Sequence, residues 1–292
     1  LTFEVDNNGF PCSFESKGSF TRDTGTGATN VYWQGQGGFA AWGGPLTVDL
    51  DGAGTSTELT WNLGVGGFRG QPLLMGSRTA NDVVDMVDDI HLNGNRDIYV
   101  FDNPHSDSDA SVFSGNIRDN GNNNLQIYRD GVLKLNGTNT YRKLYINNTA
   151  KVYINGTHNS AGLLEVRNNQ GGTIGGSGSI TIGTFSVRDQ DTLAPGDAGP
   201  GTLTTAVSAA EGLDMWNNSI YEWELGPAAS DTVNQTGNIR LGPGWTVKLV
   251  AAGGSPRDDI EYDLFTYTGT ATYGAPQIDT NSIPADWRTD TL

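Results

Sequence analysis

The chain has 292 residues, with 33 acidic and 17 basic side chains and a formal net charge of −16 at pH 7. That balance excludes a phosphate-binding surface built on Lys and Arg, so neither nucleic acid nor an anionic membrane is an expected partner. No apolar run of about 18 residues occurs, so no membrane span is expected, and a single cysteine, Cys12, excludes an intrachain disulfide.

The chain opens on LTFEVD, an apolar–polar alternation that reads as a strand. No initiator Met or signal peptide precedes it, which suits a mature product whose targeting segment has been removed. Cys12 is expected to behave as a small buried apolar residue. From Leu1 to about Asn103 the strands are long and aromatic: SFES, NVYWQG, LTVDL, ELTWNL, PLLMGS and DIYVFD.

Within this zone Ala80 to Ile90 (ANDVVDMVDDI) fits two templates. Val83, Val84, Val87 and Ile90 share one helical face, but VVDMVD also alternates. Helical signals are nearly absent elsewhere, so a strand is expected. The alternation puts Asp85 and Asp89 on one face, and Asp82 and Asp88 on the other. With His91 and Arg96 close behind, this is the richest acidic cluster, yet its spread does not bring together the two carboxylates a glycosidase needs.

The stretch from Asp102 to Asp109 (DNPHSDSD) has carboxylates near alternate positions. A solvated turn is the first reading. The alternative is a Ca²⁺ site with Asp102, Asp107 and Asp109 as ligands, because hard cations take oxygen donors. The run lacks EF-hand spacing and the nonapeptide of calcium-binding β-rolls. No other cofactor is expected.

From Gly131 to Thr205 one phrase returns in altered form: GVLKLNGTNTY, AKVYINGTHNSAGLLEVRNN, GGTIGGSGSITI and DTLAPGDAGPGTLTT. Each carries a short apolar run, closed in the first three by Asn-Gly, Gly-Gly or Asn-Asn, pairs that tolerate positive φ in tight turns. A repeat of roughly 20 residues signals stacked coils, none able to bury its apolar face alone. GGTIGGSGSI has the glycines of a dinucleotide loop but no helix after it. His91, His105 and His158 sit in unrelated contexts, and no metalloprotease, nucleophile-elbow or phosphate-loop motif occurs. The sequons at Asn136, Asn147, Asn155, Asn217 and Asn234 are at chance level for an Asn/Thr-rich chain. After Arg188 aromatic strands return: SIYEWEL, NIRLGPGWTVKLV and EYDLFTYTG.

The order of these phrases resembles a known group. Gly35 to Gly52 (GQGGFAAWGGPLTVDLDG), then LTWNLGVGGF and PLLMGSRTANDVVDMVDDIHLNGNRDIYVFDN, look like the passenger region of proteins with autotransporter-associated β-strand repeats. The matches include Leu74 to Ala80, Ile90 to Arg96, Ile98 to Val100 and Leu133 to Tyr141. GGTIGGSGSI, TLAPGDAGPGTL, YEWEL and DTVNQTGNIRLGPGWTVKLV resemble the closing module of the same family. The likeness runs from Gly35 to Gly269. It departs from the family in having one full copy of the repeat and in lacking a translocating barrel or sorting tail.

The resemblance implies an all-β fold, a right-handed parallel β-helix or β-solenoid, with aromatic-rich terminal coils. The chain is expected to form one elongated body over 1–292, with coils of three kinds at 1–103, 104–187 and 188–292. It also implies an extracellular protein of a bacterial surface or matrix, structural rather than enzymatic. Such a stack has exposed sheet edges. Leu1, Phe3 and Val5 at one end and Leu264, Phe265 and Tyr267 at the other are the candidate interface for a homo-oligomer or homopolymer assembling head to tail. An adhesin is the alternative, with an extracellular polysaccharide as partner and Trp33, Trp42, Trp61, Trp216, Trp223, Trp245 and Trp287 as stacking platforms. A polysaccharide lyase or hydrolase comes last.

Overall fold

The computed structural model describes residues 1–3, 12–52, 58–61, 64, 67–69, 72–257 and 259–284. They contain strands and no helix, and the named strands pair in parallel, coil upon coil. The fold is an all-β parallel solenoid. No helix among the described residues is long and apolar enough to cross a membrane. The chain divides into two compact units, Leu1–Lys151 and Val152–Leu292.

In the first unit each coil contributes strands to three faces. Leu73–Met75, Arg96–Val100, Asn124–Arg129 and Lys143–Ile146 stack in parallel on the first. Val83–Met86, Ala110–Phe113 and Val132–Leu135 stack on the second. Leu59–Thr60, Ile90–His91 and Ile117–Arg118 stack on the third. The strand Gly37–Asp49 spans a corner, pairing with Leu73–Met75 at its start and with Val83–Met86 at its end.

Period-2 alternation on a stacked strand generates columns of like residues. Leu73, Ile98, Ile127 and Ile146 follow one another in register and are all 0% exposed. Val48, Met86, Phe113 and Leu135 form a second buried column. Within Ala80 to Ile90 the alternating part is strand, as predicted, over Val83–Met86 with Val84 and Met86 inward, and a second strand begins at Ile90.

The aromatic N-terminal zone makes a cap. Phe39 receives the edges of Phe3 (5.5 Å) and Trp33 (5.9 Å) and lies 5.2 Å from Phe20. Trp33 in turn meets Phe68, which meets Trp61. Such offset and T-shaped packing satisfies the ring quadrupoles while covering the stack. Cys12 departs from the burial expected of it: it is exposed, immediately before the strand Ser13–Thr21.

The second unit repeats the three-face plan. Leu163–Val166, Thr184–Val187, Leu213–Met215, Ile239–Leu241 and Ala271–Tyr273 stack on its first face. Thr173–Gly176, Thr192–Pro195, Ile220–Leu225, Thr246–Ala251 and Gln277–Ser282 stack on its second. Thr157–Asn159, Ser179–Ile182, Thr202–Val207, Thr232–Thr236 and Phe265–Tyr267 stack on its third.

Glycine closes the corners for two reasons. Gly176 needs it for its φ of +113°. Gly178 has no positive φ, but a Cβ there would lie 2.1 Å from the Gly156 carbonyl oxygen of the preceding coil. At this corner close approach of backbones, not turn geometry, demands glycine.

Candidate functional site

The acidic residues singled out in the sequence do not share one site. Asp85 accepts the Ser114 amide (3.1 Å) and hydroxyl (2.7 Å). Asp89 accepts the Asn116 amide (2.8 Å) and its side chain (2.7 Å), and pairs with Arg118 (2.8 Å). Although burial opposes it, these hydrogen bonds and the Arg118 guanidinium hold the Asp89 carboxyl below its ordinary range. Asp82 caps the Val83 amide. Asp85 and Asp89 therefore tie their coil to the next, while the Asp82 carboxylate serves its own strand.

Asp88 turns inward and is 4% exposed. Its oxygens accept the Leu50 amide at 3.0 and 3.1 Å and the Asp51 amide at 3.1 Å. Burial, reinforced by Asp49 and Asp51 nearby, pushes its carboxyl up to about 7 despite those bonds. Asp49, Asp51 and Asp88 are, among the described residues, the one group of acidic, His or Cys side chains whose ligand atoms fall within 4.8 Å of one another. Three carboxylate oxygens could contact a cation, but Ca²⁺ takes six to eight oxygens and both Asp88 oxygens already accept amides. The arrangement suits a backbone clamp on residues 50–51. Sequence reasoning missed it because Asp49 and Asp51 lie far from Asp88 along the chain; the D-x-D of LTVDLDG was the signal.

Asp102, Asp107 and Asp109 form no such three-carboxylate group. The loop closes on itself instead. Asp109 accepts the Asn103 amide (2.8 Å), Asn103 Oδ1 accepts the His105 amide (3.1 Å), and Asn103 Nδ2 donates to the Ala80 carbonyl (2.7 Å). Burial, then Asp102 and Asp107 nearby, raise the Asp109 carboxyl.

A second acidic region surrounds Tyr153. Burial pushes its phenol up to about 12, helped by the charges of Glu222, Asp197, Glu224 and Asp231. Asp231 is 1% exposed and accepts the Gly201 and Glu224 amides, each at 2.8 Å. Its carboxyl is pushed up to about 7, chiefly by burial. Glu222 is engaged by Lys248 at 2.7 Å. Asp231, like Asp88, is a buried clamp rather than an accessible acid.

The tryptophans separate by burial. Trp33, Trp61 and Trp245 belong to the core, at 0%, 0% and 5% exposure. Trp42 (57%) and Trp216 (37%) are exposed. The Arg188 guanidinium lies 4.2 Å from the Trp216 ring centroid and that of Arg240 5.9 Å, so this indole already has cationic partners. Trp287 lies outside the described residues.

The interface candidates are placed unevenly. Leu1 is exposed, whereas Phe3 is 4% exposed under Trp33, 4.6 Å between centroids. Val5 lies outside the described residues. The Leu264 carbonyl accepts the Tyr221 hydroxyl (3.0 Å). Phe265 packs on Tyr221 and Trp245, at 4.7 and 6.2 Å. Tyr267 is 47% exposed. Two residues that sequence reasoning missed complete this surface: Tyr273, 70% exposed, and Ile278, 53% exposed. Their signal was the alternation of ATYGAPQI, which continues the apolar columns of earlier coils.

No protein-family model, no curated protein and no solved structure matches the chain.

Proposed function

We propose that this chain is a non-enzymatic structural protein of a bacterial surface or extracellular matrix, assembling head to tail by adding the coils of one copy to those of the next. The observation that carries the reading is the last described coil. Tyr273 continues the buried column of Val187, Met215 and Leu241. Ile278 continues that of Leu193, Tyr221 and Val247, and Tyr267 that of Ile180, Thr205 and Gln235. All three side chains are exposed because, among the described residues, no further coil stacks on them. Covering each is worth about 1.5–3 kcal/mol at full burial.

A second candidate surface lies in the first unit, where, among the described residues, Ser13–Thr21 has one strand partner. Ser13–Thr21 pairs with Gly37–Asp49 on one side, and Phe14 and Phe20 on it are half-buried. Two different surfaces make a heterologous contact, which propagates as a filament unless its rotation closes a ring. The resemblance to autotransporter-associated repeats motivates the extracellular part of this reading.

Negative-stain microscopy and light scattering across micromolar concentrations test it. Concentration-dependent filaments are expected, and Tyr273→Asp combined with Ile278→Asp abolishes them. A monomer at every concentration overturns the proposal, and saturable glycan binding by that monomer puts the adhesin in its place.

A further inference from the structure

The third face of the second unit differs from the other two in its chemistry. Its strands read THN, SITI, TLTTAV, TVNQT and FTY, without one Lys, Arg, Asp or Glu. The chain as a whole carries 50 such residues among 292. The other faces hold charges in plain view: Arg240 pairs with Asp214 on the first, and Lys248 with Glu222 on the second.

Register turns this composition into an array. Thr157, Ser179, Thr204, Asn234 and Thr266 follow one another in one column. Asn159, Thr181, Ala206 and Thr236 form the next. The alternate residues His158, Ile180, Thr205 and Gln235 are at most 2% exposed, so the two columns point outward. Parallel strands put neighbours about 4.8 Å apart along the stack, and residues i and i+2 about 6.6 Å apart along the strand. Threonine is stiff at χ1, which holds hydroxyl and methyl in a regular pattern. Hydrogen bonds reinforce it: Thr266 Oγ1 donates to Asn234 Oδ1 (2.6 Å) outside, and Thr205 Oγ1 to Gln235 Oε1 (2.6 Å) inside.

We propose that this face binds ice. A two-dimensional grid of hydroxyls and methyls at these spacings approximates the oxygen spacing of hexagonal ice. It lacks the charges that would impose a competing hydration shell. Other occupants find little here. Its outward columns offer no aromatic platform for a sugar ring, no carboxylate for a cation, and no large anchor for a protein. Three of the nine outward positions lack a hydroxyl: Asn159 and Asn234 carry amides in its place, and Ala206 adjoins an open trough of about 450 Å³ that Thr181, Asn159, Ser160 and Ser208 help to line. That is room for several waters at about 30 Å³ each.

The test uses the whole chain at concentrations below any self-association. Partition into a growing ice hemisphere and inhibition of ice recrystallisation are measured for the wild type, Thr181→Tyr, Thr204→Tyr and Asn217→Tyr. The last alters an exposed residue outside the two columns, and circular dichroism confirms that all four are folded. Incorporation into ice is expected for the wild type and Asn217→Tyr, with a loss of at least tenfold in both threonine variants. Exclusion of the wild type from ice, or equal activity of all four proteins, overturns the proposal. Exclusion from ice combined with retention on insoluble cellulose or chitin, lost in Thr181→Tyr, assigns the face to a glycan lattice instead.

Discussion

Tyr273 is the register partner of Leu241, yet Leu241 is 8% exposed and Tyr273 is 70% exposed. The two positions share a column and differ in whether another coil lies over them. Truncation should therefore cost very different amounts. Leu241→Ala removes packed methyls and leaves a cavity, an expected loss of about 2–5 kcal/mol. Tyr273→Ser in the dilute monomer should stay within about 0.5 kcal/mol, as for most surface changes. Urea unfolding of both variants at low concentration checks the contrast.

Asp88 makes stability depend on pH in an unusual direction. Its folded-state carboxyl titrates at about 7, against 3.8 in a model peptide. Between those values the folded state keeps a proton that the unfolded chain gives up. Stability from this group is therefore greatest in acid and is lost as pH rises toward 7, by at most about 1.4 kcal/mol per unit. Asp231, also at about 7, adds a slope of the same sign. Asp88→Asn should flatten the profile between pH 4.5 and 7 by one proton's worth, read from urea midpoints across that range. An unchanged slope in the variant would show that Asp88 is ionised throughout.

Glycine tests the distinction between strain and contact. A Cβ at Gly115 would meet the Asp88 carbonyl oxygen at 2.0 Å, whereas one at Gly121, at φ +81°, meets nothing within 4 Å. Gly115→Ala must push two coils apart and should cost about 3 kcal/mol or more, in the range of severe overpacking. Gly121→Ala incurs only left-handed backbone strain, about 1 kcal/mol. Thermal melts of the two variants should differ by several degrees, with Gly115→Ala the lower.

These cases show which parts of the structure could be read from the residues. The coil plan was legible because a buried column repeats its chemistry: VLKL, KLYI, KVYI and LLEV all announce alternation. The reason for the glycines was only half legible. Positive φ alone accounts for Gly121, but the close approach at Gly115, Gly178 and also Gly176 depends on the preceding coil, which no local pattern encodes. The Asp49–Asp51–Asp88 clamp was hidden for the same reason, as was the exposure of Tyr273 and Ile278. The columns of the uncharged face were also invisible, since Thr157, Ser179 and Thr204 are neighbours only through register.

The stack at Trp216 carries the last prediction. Met215 pairs with Val187 in register, so the next residues, Trp216 and Arg188, also face each other across the coils. Arg188 lies 4.2 Å from the indole centroid and is itself held by Glu165. Arg240 reaches the same ring at 5.9 Å while binding Asp214 through two nitrogens, at 2.7 and 2.6 Å. Cation–π contacts at half-exposed sites are worth about 0.5–2 kcal/mol. Trp216→Ala should therefore lower stability by about 1–2 kcal/mol, through loss of packing as well as of cation attraction. Trp216→Phe should recover part of that loss, because a smaller ring keeps a face for Arg188. An indole that served instead as a free sugar platform would show the reverse: Trp216→Ala would leave the urea midpoint unchanged and remove binding to oligosaccharides.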